Sequence, residues 1–330
     1  MHSEPRSRIL GTGAYAPEQV LTNLDLERLV ETSDQWIRER TGIRERRIAR
    51  PEETTSDMAH VAARRALEMA GLRPDQLDMI IVGTISGDVP MPACAAFLQR
   101  KLGITEIPAF DVSAACAGFL YALSIADQFI RSGLHRHILV VGAELLSRVL
   151  NWEDRATCVL FGDGAGAVVL GPAAKDGRGV LSTKLHTDST LVDSLKIPAG
   201  GSAERITQES LALRRDKVAM SGSDIFKVAV KKLSSVSAAA LSEAGLTASD
   251  VRWVVPHQAN LRIISQVAQR LDISLERFVL NLERYGNTSS ASIPIALDEA
   301  VRDKRIRDGD TVLMCALGGG ISFASALVRM

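Results

Sequence analysis

The chain has 330 residues, of which 46% are hydrophobic and 24% charged, and its 39 basic and 39 acidic residues cancel to a formal net charge of zero. This balance removes the broad positive field on which non-specific nucleic-acid binding depends, so we expect no nucleic-acid partner. The N-terminal residues contain no apolar segment, and no uncharged apolar stretch approaches the roughly 20 residues of a membrane span. We therefore expect a cytoplasmic protein with no membrane partner.

The cysteines indicate neither a disulfide framework nor a metal site. Cys94, Cys116, Cys158 and Cys315 are scattered, with no C-x-x-C pair and no histidine at ligand spacing. Disulfide-stapled domains and structural zinc sites both need closely spaced cysteines. A reducing compartment and the absence of bound metal are the expectations.

Short β-branched runs alternate with long segments rich in alanine and leucine, a pattern typical of an α/β protein with buried strands. The predicted strands, in chain order, are residues 79–82, 138–141, 167–170, 253–255, 278–282, 312–316 and 322–328. The predicted helices are residues 56–69, 117–131, 223–243, 261–271 and 293–301.

An internal repeat relates the two halves of the chain. The sequence AGL at residues 70–72 recurs at 244–246, an offset of 174 residues (244 − 70), and each copy precedes a predicted strand. The same offset carries YAL at 121–123 onto IAL at 295–297. One such match would be expected by chance, but several in one register indicate a duplication. Its boundary is predicted in the turn-rich stretch of residues 171–179.

Cys116 is a candidate nucleophile. It lies in AACAGF (residues 114–119), which we interpret as a tight turn leading into an apolar helix. The unpaired N–H groups and the dipole at a helix N-terminus favour the thiolate, the nucleophilic form of cysteine. A small buried hydrophobic residue is the alternative interpretation, and position alone gives the two equal weight.

Three further segments follow predicted strands and carry polar or backbone groups. His257 stands between a strand stopped by Pro256 and a predicted helix, and Asn287 lies in a polar segment that would otherwise be a plain turn. Residues 317–320 (LGGG) form either a hairpin turn or a pocket of N–H groups for an oxyanion. Open α/β sheets bind ligands at the carboxyl ends of their strands. Together these groups indicate thioester chemistry.

Two glycine-rich segments and one basic segment invite other interpretations. GTGAYA (11–16) lacks the following helix that a dinucleotide site requires, and GDGAG (162–166) has the wrong spacing for a phosphate loop. Residues 38–50 hold six arginines against two glutamates, with Trp36 beside them. This segment either receives phosphates or is a solvated basic face.

The chain resembles β-ketoacyl-acyl carrier protein synthase III, the initiating condensing enzyme of type II fatty acid synthesis in the thiolase superfamily. Six segments carry the resemblance, in order: TSDQWI (32–37), RTGIRER (40–46), AACAGF (114–119), FGDGAG (161–166), PHQAN (256–260) and GNT (286–288). The resemblance implies an α/β, duplicated thiolase-like fold with five layers, αβαβα, and two mixed central sheets, usually in a homodimer. We expect residues 1–172 to carry the nucleophile and residues 173–330 the histidine and asparagine.

The resemblance also implies the reaction. Cys116 takes an acyl group from an acyl-CoA primer, and His257 and Asn287 bind the thioester carbonyl of malonyl-acyl carrier protein. Decarboxylation leaves an enolate that attacks acyl-Cys116, whose oxygen faces the N–H groups of Cys116 and Gly319. The products are 3-ketoacyl-acyl carrier protein, CoA and CO2. No cofactor is implied, because the CoA thioester is itself the substrate.

Secondary site residues are carried over from matching family positions. Those implied to hold CoA or line its site are Trp36, Arg40, Arg155 and Asn260, and those implied to attract the acidic carrier protein are Lys227 and Arg262. Met91 and Leu317 replace aromatic residues common in the family, Met91 at a position that reaches the partner subunit's acyl pocket. We therefore expect tolerance of primers longer than acetyl.

Several other functions remain as alternatives. A relative in secondary metabolism would either form a carbon–carbon bond or transfer the acyl group from Cys116 to an oxygen or nitrogen acceptor. The presence of both His257 and Asn287 favours carbon–carbon condensation. A degradative thiolase needs a second active-site cysteine, and Cys315 lies inside a predicted strand. No motif for the glutamate base of a hydroxymethylglutaryl-CoA synthase was found. A non-catalytic acyl-CoA binding protein is the most distant alternative.

Overall fold

The structure is a computed structural model that describes residues 7–174 and 176–330. The strands are β1 (Ser7–Tyr15), β2 (Gln19–Thr22), β3 (Glu45–Ile48), β4 (Met79–Gly83), β5 (Ala109–Val112), β6 (Ile138–Glu144), β7 (Gly164–Pro172), β8 (Gly179–Thr187), β9 (Leu195–Lys196), β10 (Ala219–Met220), β11 (Trp253–Pro256), β12 (Thr311–Gly318) and β13 (Ser322–Arg329). The helices are α1 (Asn23–Leu26), α2 (Asp34–Thr41), α3 (Thr55–Ala70), α4 (Cys94–Lys101), α5 (Gly118–Arg131), α6 (Arg155–Cys158), α7 (Gln208–Ala212), α8 (Gly222–Glu243), α9 (Leu261–Leu271), α10 (Leu282–Tyr285) and α11 (Ser292–Arg302).

Two large mixed sheets form the framework. The first has the order β1-β7-β6-β4-β5, and the second has the order β11-β12-β13-β8. In the first sheet β4 runs parallel to β5 and β6, and β7 is antiparallel to β6 and β1. In the second, β11 is parallel to β12, and β13 is antiparallel to β12 and β8. The two sheets therefore repeat one topology, apart from the extra edge strand β5.

Five layers stack in the order αβαβα. The outer helix α3 packs on β1, β6 and β7, and the outer helix α8 packs on β8, β12 and β13. Between the sheets lie α5, which contacts strands of both, and α11, which contacts β1, β7 and β11. Both inner helices belong to one continuous apolar core with the strands on either side. This is the duplicated five-layer fold that the family resemblance implied.

Local sequence explains why the outer helix α3 forms where it does. Thr54 caps its N-terminus in a capping box with Asp57, so two backbone N–H groups are satisfied by side chains. Its alanines and Met58 are buried against the first sheet. The helix ends at Gly71, whose φ of 67° lies in the left-handed region that glycine tolerates best.

The repeat predicted from the sequence also appears in backbone conformation. A short 3-10 turn, Ala115–Ala117, precedes α5, and a second one, Ser289–Ala291, precedes α11, at an offset of 174 residues (289 − 115). The first residue of each turn is a non-glycine residue with positive φ, 46° at Ala115 and 48° at Ser289. The two turns pack against each other between the sheets. Ser290 therefore holds in the second half the place that Cys116 holds in the first.

Most predicted elements are confirmed within a few residues of their ends, but the strand at 278–282 is wrong. Only Phe278 pairs there, in an isolated parallel bridge with Val254, and residues from Leu282 onward form α10. The strands of the first large sheet end at Pro172 and those of the second begin at Gly179. The division into residues 1–172 and 173–330 remains our proposal for the two halves.

Neither of the two rejected glycine motifs leads into a helix. Residues 11–16 fall mostly within β1, and Gly164 begins β7 after a turn. Among the helices of the described residues, none combines the length and the apolar character needed to cross a bilayer.

Candidate active site

One mainly apolar cavity brings the predicted catalytic residues together. Cys116, His257, Asn287, Leu317 and Asn260 all line it. Its remaining walls come largely from α8, α9 and neighbouring segments, and include Leu195, Met220, Phe226, Ala229, Ile263, Ile264 and Val267. Four polar side chains therefore converge between mainly apolar walls, as expected of a binding site with a few oriented polar groups.

Cys116 lies in the 3-10 turn immediately before α5 and is 6% exposed. Burial raises the pKa of its thiol to about 12, and the charge of Glu144 acts in the same direction. A hydrogen bond from Ser289 opposes these effects and lowers the pKa. Desolvation thus opposes the thiolate that the helix N-terminus favours, and it is the larger effect on the pKa. The resting residue is a neutral thiol that must lose its proton during attack.

His257 follows β11 and is held in one orientation. Its backbone N–H donates to the carbonyl oxygen of Cys315 at 2.8 Å, and its ring Nδ1 lies 2.7 Å from the hydroxyl oxygen of Ser292. Burial lowers the pKa of the imidazole to about 4. The ring is thus neutral at physiological pH, with Nε2 left to meet a substrate in the cavity.

Asn287 is fixed through both its backbone and its side chain. Its N–H donates to the carbonyl of Leu160 at 2.8 Å, and its carbonyl accepts from the N–H of Gly162 at 3.1 Å. Its side-chain oxygen accepts the N–H of Ser289 at 2.8 Å. With the oxygen engaged, the NH2 group is the part of the amide free to donate to a ligand. Because α10 precedes it, Asn287 does not follow a strand, contrary to the prediction.

The glycine loop after β12 packs closely on the nucleophile turn. A Cβ atom at Gly318 would lie 2.4 Å from the backbone nitrogen of Cys116 and 3.0 Å from the Cβ of Ala115. No side chain fits in that space, so glycine is required for the approach. The contact places Gly319, the next residue, beside the turn from which the Cys116 N–H projects.

Trp36 and two arginines form a cationic and aromatic platform. The guanidinium carbon of Arg40 lies 4.9 Å from the centre of the Trp36 ring, and that of Arg155 lies 4.7 Å from it. Arg155 also donates to the carbonyl oxygen of Glu31 at 2.9 Å. Such a platform suits a planar base with attached phosphates. In contrast, Arg46 of the same basic segment is fully buried and donates to protein groups, so it is no phosphate ligand.

Asn260 joins this platform to the cavity. Its side-chain NH2 donates to the carbonyl oxygen of Arg40 at 3.0 Å, and its side-chain oxygen caps α9 by accepting the N–H of Arg262. Arg262 is exposed, with its guanidinium carbon 5.5 Å from the centre of the Phe226 ring on the cavity wall. Lys227, next to Phe226, is also exposed. The two predicted carrier-protein contacts therefore lie close to the cavity.

The two residues predicted for the acyl pocket lie in different environments. Leu317 is buried and lines the cavity beside Cys116. Met91 is 85% exposed and does not line it. Cys315, the cysteine weighed as a second nucleophile, does line the cavity but lies within β12, as predicted.

Three residues around the nucleophile were missed by the sequence analysis. Ser292 contacts His257, Ser289 donates its N–H to Asn287, and the fully buried Glu144 accepts a hydrogen bond from the Ser289 hydroxyl at 3.1 Å. Both serines lie in the polar segment that was singled out for Asn287. A carboxylate ending an otherwise apolar strand, as Glu144 ends β6, was the available signal.

Within residues 7–174 and 176–330, no group of three or more histidine, cysteine or acidic side chains is arranged to hold a metal ion. The polar groups of the cavity are instead an imidazole, a carboxamide, a thiol and backbone N–H groups. These are groups that bind and activate a carbonyl compound.

The chain is similar to known proteins over almost its whole length. Residues 110–189 match the family described as 3-Oxoacyl-[acyl-carrier-protein (ACP)] synthase III, and residues 241–330 match its C-terminal domain. The beta-ketoacyl-[acyl-carrier-protein] synthase III of Methylococcus capsulatus is 53% identical over 323 residues, 98% of each chain.

Solved structures give the same result. The 3-oxoacyl-[acyl-carrier-protein] synthase III of Aquifex aeolicus is 45% identical with a TM-score of 0.90, covering 98% of this chain and 100% of that one. The priming beta-ketosynthase of the R1128 polyketide pathway is 38% identical with a TM-score of 0.92, covering 100% and 98%. The predicted fold, enzyme class and condensing activity are confirmed. The chain belongs to the β-ketoacyl-[acyl-carrier-protein] synthase III family of condensing acyltransferases.

Proposed function

We propose that Cys116, His257 and Asn287 carry out the initiating condensation, in which an acyl-CoA primer is joined to malonyl-acyl carrier protein. The observation that carries this assignment is their convergence on one apolar cavity. A nucleophile, a neutral imidazole and a carboxamide are the groups that acyl transfer followed by decarboxylation requires.

In the first half-reaction, the Cys116 sulfur attacks the thioester carbonyl of the primer and CoA leaves. Negative charge develops on the carbonyl oxygen, and the N–H groups of Cys116 and Gly319 are proposed to bind it. Support comes from the close packing of the glycine loop on the nucleophile turn. Donors fixed in advance stabilise a developing oxyanion without having to reorganise.

In the second half-reaction, loss of CO2 from the malonyl thioester leaves an enolate whose oxygen accepts hydrogen bonds from His257 Nε2 and the Asn287 NH2 group. A neutral imidazole suits this role, since its low pKa keeps the ring from becoming an imidazolium that could protonate the enolate, while the neutral Nε2–H still donates a hydrogen bond. The enolate carbon attacks the acyl-Cys116 carbonyl, and the cysteine sulfur leaves. The buried apolar walls protect the enolate from protonation by water.

The substrates are proposed to approach over the platform of Trp36, Arg40 and Arg155, with Asn260 lining the path into the cavity. The adenine and phosphates of CoA fit an aromatic ring flanked by guanidinium groups. Lys227 and Arg262 are proposed to attract the acidic carrier protein from their exposed positions beside Phe226.

Primer choice is proposed to depend on Leu317 inside the cavity and on Met91 supplied by a second copy of the chain. The Met91 side chain is 85% exposed and does not line the cavity of its own chain. This fits a side chain that enters the partner's cavity in a homodimer. Leucine and methionine leave more adaptable space than aromatic rings. We expect propionyl and butyryl primers to be accepted beside acetyl.

Intact-protein mass spectrometry tests the proposal. The protein is mixed with a panel of acyl-CoAs, with Cys116→Ala as the control, and malonyl-acyl carrier protein is then added. An adduct on Cys116 followed by 3-ketoacyl product is the expected result. An adduct that is never extended would point to acyl transfer to another acceptor, and no adduct would overturn the nucleophile assignment.

A role in priming polyketide synthesis is the second candidate, because the R1128 priming ketosynthase is closely similar in structure. The chemistry at Cys116 would be the same in both roles. Extension rates measured with the fatty-acid carrier protein and with a polyketide carrier protein, at equal concentration, distinguish the two.

A further inference from the structure

We propose that Glu144 is a positioning residue for the second half-reaction, because it anchors the turn on which the two proposed enolate donors depend. Its point of attachment is the hydroxyl of Ser289, and the two donors are Asn287 and His257. The inference rests on the roles proposed above for those two residues. It assigns a function to a buried carboxylate that the condensation chemistry does not otherwise use.

Ser289 is the junction between the two donors. Its N–H donates to the side-chain oxygen of Asn287 at 2.8 Å, which leaves the Asn287 NH2 group for a ligand. Its carbonyl oxygen lies 2.9 Å from the hydroxyl oxygen of Ser292, and that oxygen lies 2.7 Å from Nδ1 of His257. A shift of Ser289 would therefore disturb both groups that bind the enolate.

The backbone of Ser289 needs an anchor. Its φ of 48° lies in the left-handed region, which is uncommon for a residue with a side chain. Such a conformation persists only where the surrounding contacts hold it. The Ser289 hydroxyl donates to Oε1 of Glu144 at 3.1 Å. This hydrogen bond ties the turn before α11 to the end of β6, which belongs to the other half of the chain.

Glu144 is itself held firmly enough to act as an anchor. It is fully buried at the end of β6. Its Oε2 accepts from the N–H of Ile85 at 3.2 Å and from the hydroxyls of Thr84 at 3.3 Å and Ser86. Three donors on one oxygen fix the carboxyl group and leave Oε1 for Ser289. One side chain therefore joins the loop after β4 to the turn before α11.

The internal repeat gives Glu144 a counterpart in Gly318, at the offset of 174 residues (318 − 144). Each residue ends its strand, β6 or β12, and each strand packs on the 3-10 turn of the opposite half. At Gly318 the absence of a side chain lets the strand approach the backbone of Cys116. At Glu144 a carboxylate is present instead and bonds to the turn. The same place in the fold thus supports the nucleophile in one half and the enolate donors in the other.

The test measures the two half-reactions separately by rapid-quench mass spectrometry. The first rate is formation of acyl-Cys116 from acetyl-CoA, and the second is consumption of that acyl-enzyme by malonyl-acyl carrier protein. In Glu144→Ala the second rate should fall at least about tenfold, because the turn is no longer anchored. The first rate should stay within about threefold of the parent, since Gly318 supports the turn of the nucleophile. Equal losses in the two rates would show a general packing defect and overturn the positioning role.

Glu144→Gln is the conservative variant. The N–H of Ile85 can only donate, so the glutamine oxygen should face Ile85 and the glutamine NH2 group should face Ser289. The Ser289 hydroxyl can accept as well as donate, so the link is kept while the charge is lost. Condensation should stay within about threefold of the parent. If it falls as far as in Glu144→Ala, condensation needs the charge and not the hydrogen bond, and the positioning role is overturned.

Ser289→Ala breaks the same link from the other side. Alanine fits this turn, because Ala115 has a φ of 46° at the corresponding position of the first half. The variant should lose condensation selectively, as Glu144→Ala does. The double variant should be no slower than either single variant, since the link can be broken only once. Losses that multiply in the double variant would show that the two residues act independently, which also overturns the proposal.

Two further variants keep the outcomes apart. Asp127→Ala removes another buried carboxylate that bonds to a serine hydroxyl, that of Ser7, and it should leave both half-reactions close to the parent. If Asn287→Ala condenses at the parent rate, the role proposed for Asn287 fails, and the positioning role with it. If Asn287→Ala is slow while Glu144→Ala and Ser289→Ala are not, the positioning role alone is overturned. Should Glu144→Ala not fold, Ser289→Ala decides by the same comparison of half-reactions.

Discussion

The hydroxyl oxygen of Ser292 lies 2.7 Å from Nδ1 of His257 and 2.9 Å from the carbonyl oxygen of Ser289. When its proton points at Nδ1, the ring proton of the neutral imidazole is on Nε2, where it can be donated to a substrate oxygen. When the proton points at Ser289, the imidazole must donate from Nδ1 and Nε2 becomes an acceptor. Ser292 therefore controls which tautomer faces the cavity.

Ser292→Ala is expected to slow condensation about tenfold, because Nδ1 loses the hydroxyl partner that orients the ring and sets its tautomer. Acylation of Cys116 should change much less. Single-turnover rates for the two half-reactions check this. Equal losses in both half-reactions would show that Ser292 supports the site as a whole and not the tautomer.

Asn287→Asp is expected to lower condensation by about 100-fold or more while leaving the acyl-enzyme intact. The carboxylate replaces a donor with an acceptor and places negative charge beside the forming enolate. Accumulation of acyl-Cys116 in the presence of malonyl-acyl carrier protein is the measurement. A variant that extends its adduct at the parent rate would contradict the role of the Asn287 NH2 group.

Gly318→Ala is expected to reduce acylation strongly, because the added methyl group would meet the backbone nitrogen of Cys116 at 2.4 Å. The turn or the loop must shift, and the N–H groups proposed for the oxyanion shift with it. Gly201→Ala is the matched control, since nothing lies within 4 Å of its added methyl group. Acylation rates of the two variants, each normalised to the fraction of folded protein, should differ by more than about tenfold.

Removal of either buried titratable group should change the pH dependence of stability, in opposite directions. His257 has its pKa lowered from 6.5 to about 4, so the unfolded chain binds the extra proton and stability rises with pH in that interval. Glu144 has its pKa raised from 4.5 to about 7, so the folded protein binds the extra proton and stability falls as pH rises. Where the two intervals overlap, between pH 4.5 and 6.5, the two effects largely cancel.

As pH rises through this overlap, the free energy of unfolding of His257→Gln should therefore fall relative to that of the parent. The free energy of unfolding of Glu144→Gln should rise relative to that of the parent. Each slope should differ from the parent by about 1.4 kcal/mol per pH unit. Denaturant unfolding at a series of pH values provides the measurement. If the free energy of unfolding depended on pH in the same way in both variants, the assigned protonation states would be contradicted.

Trp36→Ala should raise KM for acyl-CoA about tenfold and leave kcat nearly unchanged, since the ring is proposed to bind the nucleotide far from the reacting carbonyl. Acyl-pantetheine, which lacks the nucleotide, should be used equally well by the variant and its parent. Arg252→Ala is a suitable control, because Arg252 also lies over a tryptophan ring, at 5.7 Å, but outside the cavity. An unchanged KM in Trp36→Ala would show that the nucleotide of acyl-CoA binds elsewhere.

Periodicity and the 174-residue repeat were sufficient to predict most of the main strands and helices and the duplication, because buried strands and helices carry strong local patterns, whereas the five layers were implied by the family resemblance. The strand at 278–282 failed for a physical reason. Four of its five residues are apolar, as in a buried strand, but the buried side chain of Asn281 bonds to Glu299 and the backbone turns into α10. Such long-range polar contacts leave no periodic signal in the sequence.

The candidate site was predictable as a set of residues but not as an electrostatic environment. The sequence shows that Cys116 begins a helix, and it does not show how fully the surrounding layers remove water from the thiol. Glu144 could not be connected to the site in advance, because its partner Ser289 is 145 residues away along the chain. Desolvation and long-range hydrogen bonds are properties of the packed structure.

The packing of the two repeated turns against each other has a consequence for biosynthesis. Cys116 is made early, whereas the turn containing Ser289 and the glycine loop after β12 belong to the last part of the chain. A nascent or prematurely terminated polypeptide thus carries the thiol without the groups that would activate it. Enzymatic acylation of Cys116 should therefore require the complete polypeptide, and a chain that ends before β12 should lack it.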